Sequence, residues 1–156
     1  VIPQEYTTFA GRSMADRSLF RFSHLIEVRF ADLDMLGHVN HAAYFTYMET
    51  ARVHYVNQVL SWGGDWRGLS FIMARAACDY ELALRLEDAV RVCVRAARLG
   101  KKSFDFAYLL LRERDQAVAA RASTVQVVYD YRVATSAPIP DLWRAQLTAY
   151  EPGLAG

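Results

Sequence analysis

At 156 residues the chain has length for one domain with a real core and none to spare for a second. Its formal net charge of +1, with basic residues scattered over separate strand-like windows, leaves no electrostatic footprint for nucleic acid. No apolar run approaches the ~18 residues of a membrane span and no leader pattern opens the chain, so a cytoplasmic protein is expected.

Residues 1–22 lack sustained periodicity and read as an arm. "SHLIEVRF" then alternates, with Ile26, Val28 and Phe30 on one face of a half-buried strand. Residues 31–40 are rich in Asp, Gly, His and Asn, which favour turns and caps. Asn40 is placed to cap a helix running from His41 to about Leu60, closed by Gly63 and Gly64. Its apolar residues spread beyond one stripe, which predicts burial on most sides. Glu49 and Arg52, one turn apart, are placed to form a structural ion pair.

After residue 68 four long segments of period two follow: "LSFIMARAACDYEL", "DAVRVCVRAARLG", "KKSFDFAYLLLRE" and "AVAARASTVQVVYDYRV". In the last, Val125, Val127, Tyr129 and Tyr131 share a face. The short connectors "RLE", "LGKK" and "RERDQ" predict hairpins and antiparallel pairing. Cys78 and Cys93 lie in these windows as expected free thiols. A short helix capped at Asp141 ends the domain, which spans 23–150, and 151–156 read as a tail. One long helix is available to cover the apolar face of one sheet. The simplest architecture is therefore α+β, with an antiparallel five-stranded sheet wrapped around a central helix.

Chemistry concentrates at the strand-to-helix junction, where Asp32, Asp34, His38, Asn40 and His41 fall within ten positions. A helix N-terminus leaves backbone N–H groups unpaired and carries partial positive charge, which suits an oxyanion. A carboxylate beside it, such as Asp34, can attack a carbonyl or deprotonate the water that does. Gly37 permits an unusual backbone angle or the close approach of a substrate. Residue types alone equally fit turn and cap formation. They also supply N and O metal ligands, at a spacing that matches no established metal signature.

"VRFADLDMLGHVNHAAYFTYMETAR" resembles the opening motif of the hotdog-fold acyl-CoA thioesterases of the 4-hydroxybenzoyl-CoA thioesterase family. The likeness extends more loosely over about residues 22–150. It implies the hotdog fold, thioester hydrolysis without a cofactor or metal, and an acyl-CoA substrate. Asp34 matches the catalytic carboxylate, and the backbone N–H of His41 the donor to the thioester carbonyl. His38 matches a position that is His in many members and apolar in others, with a role in orienting water or substrate. Asn40 matches a cap holding the helix end, and Asp32 a loop-shaping residue. The family's plant acyl-carrier-protein thioesterases carry Asn two positions after the catalytic Asp, where this chain has Leu36. The resemblance also implies a homodimer or dimer of dimers with sites at the dimer interface. Arg98, Lys101, Lys102 and Arg132 are the candidate partners for the substrate's phosphates. An acyl-carrier-protein substrate, an enoyl-thioester hydratase and a non-catalytic acyl-CoA-binding protein are the competing readings.

Overall fold

The computed structural model describes residues 17–60, 62 and 68–154. Its sheet is built from β1 (Phe22–Glu27), β2 (Leu69–Tyr80), β3 (Ala89–Leu99), β4 (Ser103–Arg112), β5 (Ala117–Asp130) and the two-residue β6 (Thr135–Ser136). The strand order is β1-β3-β4-β5-β2, antiparallel throughout, with β6 continuing along the end of β5. The two helices are α1 (His41–Val59) and α2 (Asp141–Tyr150).

The hairpins expected at "LGKK" and "RERDQ" join β3 to β4 and β4 to β5. The one expected at "RLE" does not form, because β2 pairs with β5 at the sheet edge. Residues 81–88 instead carry the chain across to β3. Glu81 and Leu82 donate their N–H groups to the Ala119 carbonyl, and the Leu84 carbonyl accepts from Val39 N at 2.8 Å. Leu84 is fully buried. A solvated hairpin loop has no use for such a residue, so the apolar Leu82 and Leu84 are the overlooked signal of a crossover.

Helix α1 starts where expected, with Asn40 Oδ1 accepting from Ala42 N at 2.9 Å. Tyr44, Tyr47, Met48, Ala51, Tyr55, Val56 and Val59 face the sheet. Thr46, Glu49, Thr50, Val53 and Asn57 form an open outer face, so within one chain the helix is covered on one side and not on most. The expected Glu49–Arg52 ion pair is absent, because Arg52 turns inward and donates to Tyr108 Oη at 3.3 Å. Gly63 and Gly64 lie outside the described residues.

Tyr55 is a hub of the core, meeting Phe22, Phe106 and Tyr150 edge-on at 5.3–5.7 Å. A smaller cluster of Phe20, Cys93, Ala107, Leu109 and Leu111 covers part of the outer sheet face, which is why alternate residues of β3 and β4 are buried on both sides. Phe20, within the expected arm, thus already belongs to the packed structure. Phe30 departs from the expected strand: β1 ends at Glu27, and Phe30 sits in a 3-10 turn, 81 % exposed. On β5 Val125, Val127 and Tyr129 share a face as expected, and it is the outer one. Ala120, Ala122, Thr124, Gln126 and Val128 point inward, while Val125, Val127 and Tyr129 are half-exposed.

Asp141 opens α2 as its first helical residue rather than as a cap; Pro140 precedes it. A carboxylate in the first turn still complements the helix dipole. The expected tail is anchored at its start. Glu151, 1 % exposed, accepts from Tyr55 Oη at 2.6 Å and Ala96 N at 3.1 Å, and Leu154 is buried. Both cysteines are free.

Candidate active site

Two consecutive turns present the junction residues. In the first, the exposed Arg29 and the buried Asp32 clasp each other. Asp32 accepts from the Arg29 guanidinium at 2.7 Å, from Arg29 N at 2.9 Å and from Tyr47 Oη at 2.8 Å. The Arg29 hydrogen bonds hold the Asp32 carboxyl below its ordinary range, against the opposing push of burial. The Asp32 carbonyl also accepts from Asn40 N at 2.8 Å, which fixes the entry to α1.

The second turn spans Asp34 to His38 and is closed at its base by the Leu33–Val39 bridge. Asp34 N donates to the His38 carbonyl and Gly37 N to the Asp34 carbonyl. Gly37 takes φ +73°, a left-handed conformation that glycine adopts without a Cβ penalty. Asp34 Oδ1 accepts from Leu36 N at 2.8 Å and His38 N at 3.4 Å. Oδ2 has no partner among the described residues. At the helix start, Ala42 N is taken by the Asn40 side chain and Ala43 N by the Asn40 carbonyl. His41 N is left without an acceptor among the described residues. It is a donor with no task within the chain.

These groups border one cavity of about 330 Å³, lined by Asp34, His38, Val39, His41, Tyr44, Tyr80, Glu81, Leu82 and Ala83. Its second wall comes from the end of β2 and the crossover, which the junction motif did not reveal. Tyr80 Oη donates to the His41 carbonyl at 3.2 Å and its ring meets Tyr44 edge-on at 5.0 Å. Tyr44 donates to the Leu82 carbonyl at 3.3 Å, and burial pushes its hydroxyl up to about 12. The sequence signal for this wall is the aromatic and acidic pair Tyr80–Glu81 where β2 stops.

Asp34, His38 and His41 are thus brought together, with Gly37 and Asn40 holding the turns that present them. The candidate cations are not brought there within one chain. Arg98 pairs with Asp105 at 2.8 Å, Lys102 donates to Ser136, and Arg132 pairs with Asp130 at 2.8 Å. Lys101 is exposed in the same hairpin. This is the opposite end of the sheet, since β3 runs eleven residues from the cavity side to that hairpin. Among the described residues no three His, Cys, Asp or Glu side chains are grouped to hold a metal.

The profile of the thioesterase-like superfamily matches residues 28–147. The chain belongs to that superfamily. Its curved antiparallel sheet around one long helix is the hotdog fold. A Thermus thermophilus thioesterase, solved with coenzyme A and zinc, is 33 % identical, with a TM-score of 0.74 over 84 % of this chain and 94 % of that one. A putative esterase of Aquifex aeolicus is 31 % identical over 100 residues, 63 % of this chain and 77 % of that protein. An uncharacterized protein of Bacillus subtilis, YsmA, is 28 % identical over 93 residues, 60 % of this chain and 63 % of that protein. The match therefore spans under two thirds of the Bacillus relative's length. No helix among the described residues of this superfamily member is long and apolar enough to cross a membrane.

Proposed function

We propose that the chain is a cytoplasmic enzyme that hydrolyses an acyl-CoA thioester to free acid and CoA. The observation that carries this reading is the pairing in one cavity of an uncommitted carboxylate oxygen, Asp34 Oδ2, with an uncommitted helix-end donor, His41 N. Asp34 takes a proton from water as the water oxygen attacks the thioester carbon, or attacks that carbon itself to form an anhydride that a water then hydrolyses, this water supplying the proton. The carbonyl oxygen, becoming an oxyanion, is met by the His41 N–H and the positive end of α1. Collapse breaks the C–S bond and the thiolate leaves as CoA, taking up the proton. Thiolate leaves readily, so no strong general acid is needed. His38 orients water or substrate. Gly37 and Asn40 hold the geometry, and the Tyr80 hydroxyl steadies the first turn of the helix. The resemblance of the junction motif to acyl-CoA thioesterases and the coenzyme A bound by the Thermus relative support the choice of thioester.

The assembly belongs to the same proposal. β2 is a twelve-residue edge strand whose middle is exposed, including Ile72 and Met73. Such an edge invites pairing with another strand. Antiparallel pairing of β2 with its copy sets the Leu69 end of one chain beside the Tyr80 end of the other. Because Leu69 pairs with Asp130, that brings the partner subunit's Arg132 and its neighbouring Lys101–Lys102 hairpin toward this chain's cavity. The cations that lie too far away within one chain then reach the substrate's phosphates as a homodimer, with Arg98 behind them.

The test is thiol release from aromatic and aliphatic acyl-CoAs and from the same acyl groups on an acyl carrier protein. Turnover on CoA supports the proposal. Turnover only on the carrier protein would replace the substrate. Saturable acyl-CoA binding without thiol release would make the chain a binding protein, and loss of enoyl absorbance without thiol would make it a hydratase.

A further inference from the structure

Two of the chain's four histidines border the candidate cavity, and the other two lie against each other. His24 stands on the inward face of β1, half-buried between Phe22 and Ile26, and His54 on an exposed flank of α1. Their rings stack, with centroids 4.0 Å apart and planes inclined by 20°. Phe22 and Tyr55 make the neighbouring contact between the same two elements, edge-on at 5.5 Å in the core. β1 and α1 are therefore joined by one aromatic contact that carries no charge near neutral pH and one that titrates there. Solvent reaches the second, because His54 lines a groove of about 440 Å³ with Thr46, Glu49, Thr50 and Val53.

The charged groups around the pair are engaged elsewhere. On β3 the residue opposite His24 is Val92, and Arg91 turns to the outer face of the sheet to pair with Glu113. On β1 the exposed Glu27 belongs to the other face of the strand. On α1, Arg52 turns inward to Tyr108, and Glu49 precedes His54 by five residues, not the three or four that make helix neighbours. Beyond Tyr55, Glu151 is held by Tyr55 Oη and Ala96 N, and Arg21 donates to the Tyr150 carbonyl. Neither histidine takes part in an ion pair among the described residues. Burial, and then the charge of His54, hold His24 below the usual histidine value of 6.5. With the folded value the lower one, the stability involved is complete above the ordinary value and lost as pH falls through the lowered one.

We infer that the His24–His54 stack is an acid-sensitive clasp that holds β1 against α1 while its rings are neutral and loosens when both take up protons. Two neutral rings pack face to face, whereas two imidazolium rings at this spacing repel. The pair titrates as a unit, the second proton being harder to add than the first. What the clasp encloses gives it a function. Asp34, His38 and His41 all lie in the chain between His24 and His54, since β1 leads into the junction and α1 leads out of it. Loosening β1 from α1 therefore loosens the frame that sets the Asp34 turn against the helix end. This link to activity rests on the thioesterase reading, and the clasp itself does not.

The experiment follows thermal melts and imidazole NMR titrations from about pH 8 to about pH 5 in wild type, His54→Phe and His24→Phe. Each variant keeps a ring in the stack and removes one of the two charges. Across this range the melting temperature of wild type falls by about 2–4 °C more than that of either variant, the shift for two unit charges 4.0 Å apart in water in a domain of this size. Glu151, whose effect has the opposite sign, is retained in all three proteins and cancels in the comparison. In His54→Phe the His24 midpoint rises toward 6.5. Equal pH slopes in the melts, or a His24 midpoint that does not move, overturn the inference. If the half-buried His24→Phe does not fold, the exposed His54→Phe decides alone. Thiol release from acyl-CoA adds a third readout: kcat of wild type relative to His54→Phe falls as the pH drops. If no thioester is cleaved while melts and midpoints shift as stated, the clasp stands and the activity reading fails. A kcat ratio constant with pH, with cleavage intact, overturns the link between clasp and site.

Discussion

Asp32 and Asp34 stand two residues apart in consecutive turns and have opposite surroundings. Asp32 is buried, gripped by Arg29 and Tyr47, and committed to shaping the entry to α1. Asp34 is half-buried at a cavity, with one oxygen bound into its turn and the other without a partner. The difference is between a carboxylate consumed by the fold and one that the fold presents. Their hydrogen bonds separate the two roles, whereas residue type and spacing do not. Substitutions that isolate each role sharpen this contrast.

Asp34 itself apart, the largest effect expected is on the helix-end donor at the same cavity. His41→Pro removes the backbone N–H from the first helical position, where proline is well tolerated. Asn40 already has the extended backbone that a following proline requires, at φ −59° and ψ 139°. A 10²–10³-fold fall in kcat with circular dichroism unchanged is expected if this N–H meets the oxyanion. Unchanged kcat would remove the helix end from the mechanism. Asp32→Ala, by contrast, strands the buried Tyr47 Oη, costing about 1–3 kcal/mol in urea unfolding. Because the folded-state carboxyl of Asp32 is lowered, its contribution is complete above the ordinary carboxylate value and lost as pH falls through the lowered one. The variant should therefore lose stability at neutral pH and show a shallower acid limb.

Asn40→Ala removes the cap while leaving both carboxylates in place, and about 0.5–2 kcal/mol of stability should go with it. The smallest effect concerns a third carboxylate. Burial raises Glu151, despite hydrogen bonds from Tyr55 and Ala96. Its sign is therefore opposite to that of Asp32: stability is complete below the ordinary glutamate value and declines as pH rises through the raised one. Glu151→Gln should flatten this decline in thermal melts taken across mildly acidic to neutral pH. A decline as steep as in wild type would assign it to another group.

Much of this architecture is legible locally. Asn40 before an unbroken helical run fixes the start of α1, and the period-two windows locate β2 to β5 within a few residues. What escapes is set by distant partners. A short connector suggests a hairpin, but the pairing of β2 with β5 depends on where the edge lies, which no window of sequence contains. The inward face of β5 is not marked by hydropathy, because Gln126 donates to Thr124 within the strand and Thr124 shares a hydrogen bond with Tyr108 of β4. The junction motif places Asp34, His38 and His41, while Tyr80 and Leu82 join the site only through the crossover.

The most direct test of the central claim is kcat for thiol release by Asp34→Asn against wild type on the best acyl-CoA of the panel, with thermal stability measured on both. Asn keeps the Oδ1 acceptor that the turn uses but no longer offers a carboxylate. A 10²–10⁴-fold loss of kcat with the melting temperature retained is the predicted result. Turnover within about tenfold of wild type, short of the smallest general-base effect, would contradict the account.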